Sequence, residues 1–321
     1  MCGTNIADAA LEDTMQQQTI EKTVHCSGVG LHSGKKVSLS LHPAPVDTGI
    51  VFSVQSGNGT RFLRPDPTLV VDTRLCTTLG NGQWSLGTVE HVLAAIRGLD
   101  IDNILIEVHG REVPIMDGSA ASFVYLLRQA GQRAQDGSRK VLALSREFSV
   151  QDDGRWITGR PGRGLAVTCT IDFPHPLIGQ QQISLECSSR DFVKSVSRAR
   201  TFGFLHDVET LQANNLALGG SLDNAVVLDE YGVVNPEGFR FPDEPVRHKL
   251  LDFLGDLGLM PYPVWGRFEV HCTGHSLNNA FARGLAANTD SLLELVDLKH
   301  EPLGQVQEQA PLSSQVPVTS S

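Results

Sequence analysis

What most constrains this chain is an order of strand-like and helix-like runs that appears once and then starts again. Residues 19–27 suit a strand and lead into the glycine-rich turn Gly28-Val29-Gly30-Leu31-His32-Ser33-Gly34. Residues 35–41 then alternate strictly, which puts Val37, Leu39 and Leu41 on one sheet face. Pro43 and Pro45 end that pairing, and residues 50–54, 69–71 and 72–79 read as further strands. Thr88 reads as the N-cap of a helix over 89–97 that Gly98 stops. Residues 103–108 form a strand, 114–118 a loop, and Ser119 caps a second helix that ends near Gly131. The polar stretch 132–139 reads as a linker between an N-terminal domain (19–131) and a C-terminal one (140–301).

Beyond that stretch the pattern resumes. Residues 141–150, 165–171 and 182–187 read as strands, a helix begins near Arg190, and Arg200-Thr201-Phe202-Gly203-Phe204 closes it. An insertion rich in glycine and asparagine spans 205–245. A helix over 246–257, a strand over 267–272 and a helix over 276–288 complete the second half. Two halves, each a small sheet with about two helices, predict a duplicated α+β architecture. Residues 1–18 read as a disordered polar leader, and a polar tail begins at about Pro302.

A chain of 321 residues with 40% hydrophobic content can fill two cores of ordinary size. Its net charge of −10 disfavours nucleic acid and anionic membrane surfaces as partners, so a phosphate-bearing ligand would need a local basic patch. The six cysteines are scattered without CxxC spacing, which suits reduced thiols in a cytoplasmic protein. No basic stretch precedes an apolar run at the start, and no run approaches 18 apolar residues, so no transmembrane segment is expected.

Three clusters carry chemistry. In Arg247-His248-Lys249-Leu250-Leu251-Asp252-Phe253-Leu254-Gly255-Asp256, helical spacing stacks His248, Asp252 and Asp256 on one side. Leu250, Phe253, Leu254 and Leu257 fall on the opposite arc as a core face. An imidazole and a carboxylate four residues apart can share one zinc ion, although the same spacing also suits a solvated i,i+4 pair. In Thr88-Val89-Glu90-His91, adjacent residues point about 100° apart on a helix, so His91 is the candidate ligand and Glu90 the candidate general base. In Gly274-His275-Ser276-Leu277-Asn278-Asn279, His275 sits on a loop before a helix; with Asp256 beside it, it would suit a general acid. His91, His248 and Asp252 together would leave a fourth tetrahedral position open, the catalytic pattern for zinc.

These clusters, with Pro114-Ile115-Met116-Asp117-Gly118-Ser119-Ala120, Ser197-Arg198-Ala199-Arg200-Thr201-Phe202-Gly203-Phe204 and Leu218-Gly219-Gly220-Ser221, occur in an order that resembles the bacterial UDP-3-O-acyl-N-acetylglucosamine deacetylase family. The likeness spans roughly residues 19–288. It implies a zinc amidase that removes acetate from the sugar nitrogen in lipid A synthesis, in the cytoplasm of a Gram-negative bacterium. It implies two α+β domains whose helices pack between two sheets, and a substrate that is a UDP-sugar carrying an acyl chain. By motif, His91, His248 and Asp252 would hold one Zn²⁺ and Glu90 would activate water. His275 paired with Asp256 would protonate the amine, and Thr201 would hold the oxyanion. Lys249 would meet substrate phosphate or the reacting centre, and Phe202 with Gly219 and Gly220 would border an acyl passage. Cys76 would lie near the entrance, equally readable as a small buried hydrophobe, and His32 receives no role. His206 stands where a more basic residue is usual, which bears on diphosphate binding. A monomer is expected, with the oligomeric state open. The rival readings are a zinc amidase for another substrate and a non-catalytic protein with structural zinc, which would need a fourth protein ligand.

Overall fold

The computed structural model describes residues 15–299 apart from 57, 58 and 215. The expected tail from about Pro302 and most of the leader lie outside the described residues. Alternation builds the first sheet. Val37, Leu39 and Leu41 are all buried, and the strand that carries them, Lys36–Pro43, lies between Val24–Val29 and Ile104–His109. Ile50–Ser56 and Gly59–Leu63 complete the sheet beyond Ile104–His109. Every neighbour is antiparallel except Ile50–Ser56, which runs parallel to Ile104–His109.

The second half repeats this pairing strand for strand. Its order is Phe148–Asp152, Arg155–Arg160, Val264–His271, Leu165–Phe173 and Gly179–Glu186. Among these five strands the one parallel pair is again the central strand with the third of them in sequence. Lys140–Leu144 and Leu293–Asp297 extend this sheet beside the start of Val264–His271. The molecule is therefore α+β, with two similar domains.

In the first domain, α1 (Glu90–Gly98) precedes the central strand and α2 (Ala121–Ala130) follows it. After α3 (Ser189–Ser195) and α4 (Leu205–Ala213), the second domain has α5 (Glu244–Leu257) before its central strand and α6 (His275–Ala287) after it, then the short α7 (Thr289–Leu292). Helices α1 and α5 pack on each other, α2 covers the first sheet, and α5 and α6 cover the second. The layers run sheet, helices, helices, sheet. Because α5 is covered on one side by α1 and on the other by strands, both its leucine arc and its His248–Asp252–Asp256 side are buried. That removes the reading of a solvated ion pair.

The approach of α1 to α5 depends on Gly255. A Cβ there would lie 2.2 Å from the Glu90 carbonyl oxygen, within backbone that has no freedom to withdraw. Gly255→Ala is expected to cost about 1–3 kcal/mol of stability by overpacking, read as a lowered Tm. A Tm equal to that of the parent would show that the crossing has slack.

Several local expectations change. Gln16–Ile20, of which residues 16–18 are expected as the end of a leader and 19–20 as the start of a strand, is a strand antiparallel to Gln132–Ser138, expected as a linker. These strands are polar yet held: Gln17 is buried, its amide nitrogen donating to Asp47 and to the Ser138 carbonyl, its oxygen accepting from Asn103. Thr88 is not a helix cap. It lies at φ 59 ahead of α1, and a capping residue needs extended backbone to aim its oxygen at the first turn. Ser119 stands one residue further out than expected, though its Oγ accepts from the Ala121 N–H at 3.1 Å. Residues 141–150 divide into Lys140–Leu144 and Phe148–Asp152. Phe202–Phe204 does not close a helix but forms a strand parallel to Val226–Leu228, so the insertion contains α4 and one strand of a small sheet. His275 is the first residue of α6, not a loop residue.

Candidate active site and metal centre

The metal-ligand candidates converge at the α1–α5 contact. His91 lies in the first turn of α1, and His248 and Asp252 lie one turn apart on α5. One ligand atom from each lies within 4.8 Å of the others, and all three residues are buried. His248 Nε2 is 3.3 Å from Asp252 Oδ1, and His91 Nε2 is 3.8 Å from the same oxygen. Two tetrahedral ligands with bonds of about 2.1 Å would stand about 3.4 Å apart, so this set fits a small divalent cation. Asp252 Oδ1 is buried with no hydrogen-bond donor among the described residues, the state expected of an oxygen reserved for a cation. No fourth protein ligand joins the group among the described residues.

The surrounding groups fix these ligands. His248 Nδ1 donates to the Ala199 carbonyl at 3.1 Å, which leaves Nε2 as the free lone pair. Burial pushes the His248 pKa down to about 3, against the pull of Asp252, so the ring is neutral and able to ligate. Burial opposes charge on Asp252 too, but His248 and Lys249 hold its carboxyl well below the usual range. Lys249 Nζ donates to Asp252 Oδ2 at 2.7 Å and lies 5.7 Å from the Phe202 ring centroid. Burial works against its charge, but Asp252 raises its pKa.

Glu90 and His275 are held beside this centre by partners of their own. Glu90 Oε2 accepts the Thr77 N–H at 3.0 Å. Burial raises the Glu90 pKa, with His275 and His91 opposing. His275 Nδ1 donates to Asp256 Oδ2 at 2.8 Å, the same oxygen that accepts from Asn278 at 2.9 Å. The Thr77 hydroxyl donates to Asp256 Oδ1. Burial disfavours the imidazolium, but Asp256 and Asp252 outweigh it and raise the His275 pKa to about 9. The site therefore holds, side by side, a buried carboxyl group of raised basicity and a buried imidazole whose pKa is raised to about 9.

A match to a family model now bears on this geometry. Residues 17–287 fit the model described as UDP-3-O-acyl N-acetylglycosamine deacetylase. The chain belongs to that family. It is 55% identical over 284 residues to the UDP-3-O-acyl-N-acetylglucosamine deacetylase of Nitratidesulfovibrio vulgaris, covering 88% of this chain and 92% of that one. It is 53% identical to the enzyme of the same name from Oleidesulfovibrio alaskensis, over 88% and 93% of the two chains. With that of Thioalkalivibrio sulfidiphilus it shares 46% identity over 95% and 99%.

In this family member, Glu90, His91, His248, Asp252, Asp256 and His275 all come together, from both domains. Phe202 joins them along the segment that holds His248, its ring 6.4 Å from that of His248 and nearly perpendicular, and Thr201 is its neighbour in that segment. Gly220 stands apart from the metal ligands, exposed beside the glycine-rich turn, where Gly219 donates its N–H to the Leu31 carbonyl. His32 also faces that segment, with the Ala217 N–H directed at its Nδ1. Cys76 is buried, its thiol pushed up to about 12 by burial and by Glu90, which makes it a poor nucleophile. His206 is exposed and stacks on Phe204, 5.6 Å between centroids. Thr77 was not legible in the sequence: a threonine in a strand-like run gives no sign that it bridges two carboxylates 13 and 179 residues away. Asn278 lies inside a recognisable motif, but only its contact with Asp256 reveals its part.

Proposed function

We propose that this protein hydrolyses the N-acetyl group of UDP-3-O-(3-hydroxyacyl)-N-acetylglucosamine, releasing acetate, in lipid A biosynthesis, with one Zn²⁺ held by His91, His248 and Asp252. The observation that carries the reading is a buried centre of two imidazoles and a carboxylate, flanked by a carboxyl group and an imidazole that both have raised pKa values. Bound there, a zinc ion would supply Lewis acidity, lowering the pKa of water from about 15.7 to about 7 and polarising a carbonyl.

The chain's own groups then have distinct tasks. Glu90 accepts a proton from the water that attacks the acetamide carbonyl carbon. Thr201 and Lys249 offer a hydrogen-bond donor and a positive charge to the oxygen on which negative charge develops. His275 gives its Nε2 proton to the departing nitrogen as the C–N bond breaks, yielding acetate and a free amine. Asp256 keeps Nδ1 as the donor to itself, so the transferable proton stays on Nε2. Phe202, 5.5 Å from Phe173 and 6.5 Å from Phe204, forms part of an aromatic wall suited to an acyl chain. No helix among the described residues is long and apolar enough to cross a membrane.

Protein stripped of metal is expected to lose deacetylation of UDP-3-O-acyl-N-acetylglucosamine and to regain it with one equivalent of zinc. Folded protein that is inactive on this substrate in both states would overturn the assignment.

A further inference from the structure

The four consecutive residues Arg198 to Thr201 are each pinned by a different partner. The Arg198 carbonyl accepts Arg240 Nη1 at 3.1 Å, and the Ala199 carbonyl accepts His248 Nδ1 at 3.1 Å. The Arg200 N–H donates to Glu244 Oε1 at 2.9 Å, and the Thr201 N–H donates to the Gly118 carbonyl at 2.7 Å. One of these partners is a metal-ligand candidate, and another belongs to the first domain.

Arg240 ties these partners together. Its Nη1, besides gripping the Arg198 carbonyl, lies 2.7 Å from Asp117 Oδ2. Its own N–H donates to Glu244 Oε2 at 2.6 Å. Asp117 in turn receives Ser119 and Ser122 hydroxyls and stands next to Gly118, the residue that holds Thr201. Met116 lies at φ 56, a strained position that persists only where its surroundings over-determine it, and Gly118 lies at φ 80, which glycine adopts freely. The fit is tight, since a Cβ on Gly118 would come within 2.1 Å of the Asn224 carbonyl oxygen. The opposite face of Thr201 is held as well: its carbonyl accepts the Val226 N–H at 2.8 Å.

We infer that Arg240 and Asp117 are positioning residues: their ion pair across the two domains sets the Ala199–Thr201 backbone, and so aims the His248 ring at the metal position and Thr201 at the reacting carbonyl. This rests on the deacetylase reading and on the place given there to Thr201. Neither residue touches the substrate in this account. Their effect reaches the chemistry through backbone they hold.

A double-mutant cycle tests the inference on the full-length, zinc-loaded protein. Arg240→Met keeps the volume of the side chain and removes the charge. It is expected to lower kcat by about 10- to 100-fold, in the range of losses from partners that orient metal ligands, with KM nearly unchanged and zinc still bound one to one. Arg240→Lys should recover part of the loss. In a Thr201→Ala background the further loss from Arg240→Met should shrink to a few-fold, because the group being aimed is gone. An equal fold-loss in both backgrounds, or a lowered Tm with kcat intact, would overturn the inference by making the pair merely structural. Should Arg240→Met not fold, Asp117→Asn carries the same comparison. Failure of the underlying function is separable, since the unmutated zinc-loaded protein would then be inactive on the acylated UDP-sugar.

Discussion

Glu90→Gln is expected to lower kcat by about 10²–10⁴-fold, the span of a lost general base, while zinc stays bound at one equivalent. The substitution keeps the shape of the side chain and an oxygen able to accept the Thr77 N–H, so the fold at the start of α1 has no reason to change. What disappears is the ability to take a proton. Glu90 is suited to that task because burial raises its pKa above the ordinary carboxylate value, which makes it a stronger base. Metal analysis beside steady-state kinetics decides the point. A variant that retains zinc and full kcat would remove Glu90 from the mechanism, and one that loses zinc would make it a ligand.

The second large effect concerns His275 and is a matter of pH. A general acid acts only while protonated, so the rate is expected to hold up to about pH 9 and fall as pH rises through the His275 pKa. On the other side, Glu90 must be deprotonated, so activity falls as pH drops through its raised pKa, above the ordinary value of 4.5. Asp256→Asn removes the main counter-charge that offsets burial at His275. The alkaline limb should then move to or below the ordinary imidazole value of 6.5. At pH 8 a group of pKa 6.5 is only about 3% protonated, which corresponds to a loss of about thirtyfold. His275→Ala should remove the alkaline limb and cost about 10²–10⁴-fold at every pH. A kcat/KM profile for Asp256→Asn that still bends at about 9 would show that some other group sets the charge of His275.

Much of the site was legible because its residues stand at helical spacing within short motifs. His248, Asp252 and Asp256 share one side of α5 by simple periodicity, and Glu90 and His91 share the first turn of α1. The duplicated α+β plan was legible as well, because strict alternation such as that of Lys36–Pro43 has only one use in a half-buried sheet. Polar strands were not. Gln16–Ile20 and Gln132–Ser138 lack apolar alternation, and their backbone groups find partners in each other and, at Gln18, in Asp102 and Asn103. The turn at Thr88 was equally silent, since a threonine before a helix reads as a cap until its φ is known.

The sequence by itself determined which side chains are available for metal, base and acid chemistry, and on which face of each helix they lie, because those are properties of local periodicity. The tertiary structure alone decided that α1 and α5 cross at Gly255, bringing His91 to His248 and Asp252 over a separation of more than 150 residues. It alone placed Thr77 between Glu90 and Asp256, and Gly118 against Thr201. Long-range contacts of this kind carry no period in the chain. They arise when two sheets bury their apolar faces against the helices packed between them, and polar groups caught among those helices must find partners wherever the packing puts them.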